Sequence, residues 1–351
     1  MTPAIVSAGA LTAVGLSAEQ TAFGLRAGIF CPRTIGHFDL AGEALGAVLV
    51  PSIHEEIEGW ERLTSLALPP LRDVLYQVGD RARVSRVVLA LPAARAGLSA
   101  DDRANIAEEL TNAAFGGDPN RLVTVTGDRE AFATALLYAK AYLEEHTDEI
   151  VLAGAVDSFH DVRMYRALDE EHRVLSERSP GGLIPGEGSA FLAIAAPSSR
   201  LPAIAHLSFV EAGHEPDADD VLAEAWTRLS RGALRAAKDA LQSMGEAPSA
   251  PWILLDQCVE RHRNKAWQTV FYRLRGDLEP ESTVVDTLAE RLGDAGVASG
   301  AILAVYASVG LASGFSPGGS AIIGLASDGA ARASLSLIAA RSGKPAPLTS
   351  T

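Results

Sequence analysis

The chain has 351 residues, 48% of them hydrophobic and 21% charged, enough apolar material for a large buried core in one big domain or two fused halves. Its net charge of −14 argues against unaided binding to nucleic acid or insertion into an anionic membrane, and Cys31 and Cys258 are too few and too unrelated in context to form a disulfide scaffold. No window reaches the roughly 18 consecutive apolar residues of a membrane helix, and the amino terminus lacks the basic and apolar regions of a signal peptide, so a cytoplasmic protein is expected.

Short apolar runs alternate with amphipathic stretches along the chain, which predicts a layered α/β fold. Strands are expected at 5–10, 47–50, 86–91, 122–126, 150–155 and 190–195, with helices at 18–27, 60–78, 101–114 and 129–145. In the last helix Ala131, Ala135, Tyr138, Ala139 and Tyr142 recur at helical spacing and bury one face. A serine- and proline-rich segment at 197–202 separates this series from a second, with strands at 203–210, 253–258, 283–285, 321–326 and 333–338 and helices at 221–243, 264–275 and 297–312. Each series alternates helix and strand and closes on a hairpin, which predicts two similar halves, 1–200 and 201–340, with helices between their sheets. The polar, proline-containing tail 341–351 is expected to fray.

Several segments also carry a longer-range pattern. I-V-S-A-G-A-L-T-A-V-G opens the chain, followed by L-R-A-G-I, F-D at 38–39 and G-A-V-L-V at 46–50. V-L-A-G-A-V-D-S at 151–158, P-G-E-G-S-A-F-L-A-I at 185–194 and L-G-D-A-G-V-A-S-G-A at 292–301 come later. In order and spacing, across roughly residues 4–340, these segments resemble the β-ketoacyl synthases of the thiolase superfamily. The resemblance implies a thiolase-like fold with layers α-β-α-β-α, and condensation of acyl thioesters by one cysteine and two histidines.

The catalytic residues that the resemblance implies are not there. At the strand-to-helix bend V-T-V-T-G-D-R-E-A-F, where a helix amino terminus stabilises the family's thiolate, the cysteine position is Gly127. The adjacent Asp128 is either a replacement nucleophile or, as such residues more often are, an acceptor for helix N–H groups. W-I-L-L-D-Q-C puts Cys258 at the first histidine and Asp256 where the family usually carries glutamate. His262 is the nearest substitute, but it stands between Arg261 and Arg263 in a polar run that reads as a solvated helix start. G-D-A-G-V-A-S-G aligns without a gap and gives Asp294 for the second histidine and Ala289 for the family's lysine. A carboxylate there cannot donate a hydrogen bond to a thioester carbonyl and would repel an enolate.

The final hairpin, G-L-A-S-D-G-A-A-R, has Asp328 at the family's gating phenylalanine. A register through G-F-S-P-G-G-S at 314–320 leaves the last two strands unexplained.

Other chemistry is sparse. His37, His54, His146, His160, His172, His206 and His214 show no paired metal spacing, and neither a metal nor a cofactor is expected. G-E-G at 186–188 opens a strand and is no phosphate loop. The expectation is a catalytically inactive β-ketoacyl-synthase-like scaffold, a homodimer with an unidentified protein partner. Its former site, Gly127, Asp128, Cys258, Asp294 and Asp328, is a candidate ligand or partner cavity.

The opening segments and A-L-P-P-L-R at 67–72 are similar to stand-alone thiolase-like proteins found beside type VI secretion genes, which implies an adaptor role. A non-condensing, chain-length-factor-like subunit of a fatty acid or polyketide synthase is the second expectation. An acyltransferase or hydrolase with unfamiliar catalytic residues is the third.

Overall fold

In a computed structural model of the chain, covering residues 2–217, 222–247, 249–257, 259–278 and 281–340, the first half runs β1 (Ala4–Thr12), α1 (Ala18–Arg26), β2 (Arg33–Phe38), β3 (Ala44–Ala47), α2 (Gly59–Val78), β4 (Arg83–Pro92) and α3 (Ala100–Phe115). It continues through β5 (Leu122–Gly127), α4 (Ala131–Glu145), β6 (Glu149–Ser158), α5 (Val162–Glu170) and β7 (Glu187–Ala195). The second half runs β8 (Ala205–His214), α6 (Glu224–Ser243), β9 (Trp252–Leu255), α7 (Arg261–Leu274), β10 (Val284–Thr287), α8 (Ala289–Leu292), α9 (Ala298–Ser313), β11 (Ser320–Ala326) and β12 (Ala331–Ala339).

The two halves repeat one topology. From the seam outward the strands lie β1-β7-β6-β4-β5 on one side and β8-β12-β11-β9-β10 on the other. In each, three parallel strands form the far end and the last strand of the half returns antiparallel. The halves are joined where Ala4 and Ile5 pair with His206 and Ala205. Buried on both faces, β6 and β7 carry unbroken apolar runs, residues 150–156 and 190–195, rather than an alternation, as strands covered on two sides do.

Helices α4 and α9 pack against strands of both halves and form the central layer. From Ala298 to Leu311 every residue of α9 is buried, which explains its lack of a polar face. Helices α2 and α3 cover the outer face of the first half, and α6 and α7 that of the second. The result is the five-layer α-β-α-β-α arrangement. Among the described residues, no helix is long and apolar enough to cross a membrane.

Three local expectations need correction. The strand expected at 47–50 is instead β3 (Ala44–Ala47), paired with β2 outside the main sheet; Val48 bridges to Gly186, and Leu49 passes into a satellite core with Leu45, Tyr165 and Leu183. That small core satisfies the same apolar run that a sheet would. The hairpin expected at the end of each half exists only as β11–β12, because residues 159–186, including α5, intervene between β6 and β7. The strand expected at 253–258 ends at Leu255, and both Cys258 and the tail 341–351 lie outside the described residues.

Candidate functional site

β5 delivers Gly127 to the start of α4, where its carbonyl accepts from the Ala93 N–H at 2.9 Å. A Cβ placed on Gly127 would stand 2.9 Å from Glu130 Oε1 and 3.0 Å from the Ala131 Cβ. The Glu130 side chain therefore holds the space into which a residue-127 side chain would project. Burial raises the pKa of this glutamate. Asp128 accepts backbone N–H groups with both oxygens, from Arg129 at 2.9 Å and from Asp328 at 2.6 Å, and so ties the start of α4 to the turn between β11 and β12.

Asp294 sits on a loop shaped by two glycines with left-handed backbone, Gly293 at φ 66° and Gly296 at φ 53°. A side chain at 293 would press within 2.6 Å of the Ile184 carbonyl, whereas glycine lets the loop dock: the Asp294 N–H donates to Ile184 O at 2.8 Å and the Gly186 N–H to Asp294 O at 2.9 Å. The carboxylate that this loop presents is fully engaged. Oδ1 accepts from the Gly296 N–H at 2.9 Å, and Oδ2 accepts from both Arg129 Nη2 and Arg263 Nη1, the latter at 2.9 Å.

The network extends in both directions. Arg129 Nη1 also reaches Asp128 and, at 3.0 Å, Asp328 Oδ1. Asp328 Oδ2 meets Arg173 Nη2 at 2.8 Å, and Arg173 Nε donates to Glu260 at 2.8 Å. On the other side Arg263 Nη2 donates to the Asp256 carbonyl at 2.5 Å and lies 3.6 Å from Asp256 Oδ2. Asp294, Arg129 and Arg263 are buried, so each would carry a large desolvation cost without its partners.

These environments push the titrations apart. Burial would raise the Asp294 pKa, but the guanidinium groups of Arg129 and Arg263 overcome it and hold the carboxyl well below its ordinary range. Asp328 is also held low: burial opposes ionisation, and Arg129 and Arg173 outweigh it. For Arg129, burial favours the neutral form, yet Asp128, Asp294 and Asp328 keep it charged and its pKa well above normal. Asp256 is different. Burial dominates its weaker contact with Arg263 and pushes it up to about 6.

As chemistry, this is a network of carboxylates paired with guanidinium donors, in which Arg129 Nε and Glu130 Oε2 are buried without a hydrogen-bond partner among the described residues. Arginine is a poor proton-transfer group, and Asp128, Asp294 and Asp328 already commit their oxygens to guanidinium and backbone donors. Beside Asp294 a cleft of about 300 Å³ remains, lined by Phe30, Gln257, Val259, Ala289, Gly293 and Asp294. Ala289 thus stands at the opening of α8 on the cleft wall, and Cys258, between Gln257 and Val259, falls outside the described residues.

Gly127, Asp128, Asp294 and Asp328, named from the sequence, converge here. Arg129 and Arg263 were missed. The polar run 261–263 does open α7, but Arg263 is 3% exposed rather than solvated, because it turns inward to Asp294. The side chain of His262 lies outside the described residues. A signal for Arg129 existed: a cation at the amino-terminal end of a buried helix is unfavourable unless acids surround it.

Two further groupings were invisible in linear spacing. Under the G-E-G turn, buried Glu187 accepts from Arg62 Nε at 2.5 Å and Nη2 at 2.7 Å, from the Val50 N–H and from Ser158, so that motif is scaffolding. His37, Glu58 and His160, far apart in sequence, also come together.

No protein-family model and no curated protein matches the chain. Solved structures do. The ishigamide ketosynthase/chain length factor superimposes over 97% of this chain and 100% of its own, with TM-score 0.71 and 18% identity. The fold is that of the ketosynthases. A type II polyketide ketosynthase, solved in complex with its acyl-carrier protein and bound to the hexaketide, matches over 97% of this chain and 99% of its own with TM-score 0.72 and 12% identity. A β-ketoacyl synthase from Burkholderia phymatum matches over 97% and 100% with TM-score 0.68 and 14% identity. Within a ketosynthase fold, the ion-pair network therefore lies at the bend after β5 and at the loop before α9.

Proposed function

We propose that this protein is a catalytically silent ketosynthase-like scaffold that acts by binding or assembly. The observation that carries this reading is the bonding of Arg129 and Arg263 to Asp294, beside a glycine at the position the sequence resemblance assigns to the nucleophile. A condensing enzyme needs a thiolate to accept the acyl group and donors to stabilise an enolate. Here the corresponding groups are Gly127 and carboxylates already committed to arginine. Loss of the active centre explains how the scaffold persists without its chemistry, since the ion pairs supply the packing and charge balance that catalytic groups and bound substrate otherwise provide.

Assembly is the second part of the proposal. Among the described residues β5 has a sheet neighbour on one side alone, β4, and its free edge suits pairing with a second copy across a two-fold axis. A chain-length-factor-like subunit uses the same edge with an active, cysteine-bearing ketosynthase, and the likeness to a ketosynthase/chain length factor structure favours this as the alternative. A secretion-associated adaptor, located in the cytoplasm, needs no such partner. Native mass spectrometry of the tagged protein from its own host separates these: a homodimer, or a complex free of any cysteine-bearing synthase, supports the scaffold, and a stoichiometric heterodimer with an active synthase supports the alternative. Condensation by the purified protein alone overturns both.

A further inference from the structure

We infer that His37, Glu58 and His160 form a binding site for a divalent first-row transition-metal ion, with two imidazoles and one carboxylate as protein ligands. The three come from separate places: His37 from β2, Glu58 from the residue before α2, and His160 from the loop after β6. One donor atom from each lies within 4.8 Å of the others. His37 Nε2 and Glu58 Oε1 are 3.1 Å apart. Donors about 2.0–2.1 Å from a tetrahedral zinc ion are separated by about 3.3 Å, so this pair already has ligand spacing and only the third donor must close in.

The surroundings resemble those of a held ligand. His160 is buried, with Nδ1 2.9 Å from the Tyr165 hydroxyl and Nε2 2.7 Å from the Glu55 carbonyl. Metal-binding histidines are oriented by a hydrogen bond from the second ring nitrogen, and binding here exchanges one of these two contacts for the metal while keeping the other. The His37 ring is packed against Tyr165, 4.9 Å between centroids, which limits its rotation. The nearby cation Arg62 is no competitor, since its guanidinium is spent on Glu187 and on backbone carbonyls. Half-buried Glu58 and His37 leave a solvent-facing position for a water ligand. An ion at this point cross-links the β2–β3 ribbon to α2 and to the α5 segment.

The test is zinc binding to chelator-treated full-length protein by equilibrium dialysis and titration calorimetry, with melting temperature as a second readout. The expected result is about one zinc per chain, a rise in melting temperature with zinc, and an affinity at least about tenfold weaker in His37→Ala and Glu58→Gln, with Cys31→Ser unchanged. Both tested ligands are partly exposed, so the variants should fold, which circular dichroism checks. Absence of stoichiometric binding, binding unaltered by both variants, or binding lost in Cys31→Ser would overturn the site.

Discussion

Arg263 Nη1 lies 2.9 Å from Asp294 Oδ2, the same oxygen that accepts from Arg129, so one buried carboxylate bridges two buried guanidinium groups, one just before α4 and one in the first turn of α7. Removing that charge takes from each arginine its shared buried partner and leaves Arg129 to Asp128 and Asp328 and Arg263 to Asp256. Asp294→Asn should cost about 3–5 kcal/mol in urea unfolding at neutral pH, the range for breaking a buried pair. Adding Arg129→Met should then cost less in the Asp294→Asn background than in the wild type, with a coupling of about 0.5–3 kcal/mol. Additive effects would mean that the pair contributes no interaction of its own.

The pH dependence should show two opposite slopes. Asp294 and Asp328, held low in the folded state, lend stability that is full above the ordinary carboxylate range and is lost as pH falls through their folded values. Asp256, pushed up from 3.8 to about 6, behaves in reverse: its share is full below about 3.8 and disappears as pH rises through about 6. Wild type should therefore lose stability relative to Asp256→Asn between pH 4 and 6, with no further change from pH 7 to 8. A constant difference across pH 4–6 would show that Asp256 is not perturbed.

Assembly should run through β5, whose half-buried residues Val123 and Val125 alternate with exposed Thr124 and Thr126 on a free sheet edge. Sedimentation equilibrium should give a dimer at micromolar concentration, weakened by Val125→Lys. A stable wild-type monomer would contradict this edge as a pairing surface.

Restoring a thiol alone should not restore condensation. In Gly127→Cys the new side chain meets Glu130 Oε1, which can swing aside, and the Ala131 Cβ, which cannot move as easily. Even when accommodated, the new side chain starts against a carboxylate and an alanine rather than a histidine, and catalytic groups of this kind act non-additively. The variant should fold and show no malonyl-dependent condensation above wild type. Robust turnover would mean that the remaining groups form a working site.

Much of the fold was legible because its strongest signals are local. Continuous apolar runs such as β6 and β7 and the all-round apolar α9 can hardly be anything but buried layers, and the repeated alternation of helix and strand exposed the two halves. The satellite layer was not, because β3 and α5 are short and are held by a shared apolar cluster, Leu45 and Tyr165 among its members, that no periodicity reports. At the site, Gly127, Asp294 and Asp328 stood out as departures from a pattern. Arg129 and Arg263 did not, since a surface arginine and a buried one look alike until their acids, up to 199 positions away, are placed beside them. His37 and His160 were hidden for the same reason.

The most direct test of a silent active centre is intact-mass and peptide-level analysis of the wild-type protein after incubation with acyl-CoA and with acyl-carrier protein charged with an acyl group. The account predicts no covalent adduct on residues 127–130 and no condensation product when malonyl thioester is added. An acyl adduct on Asp128, Glu130 or Cys258, with turnover that depends on that residue, would contradict it and establish an enzyme with a relocated nucleophile.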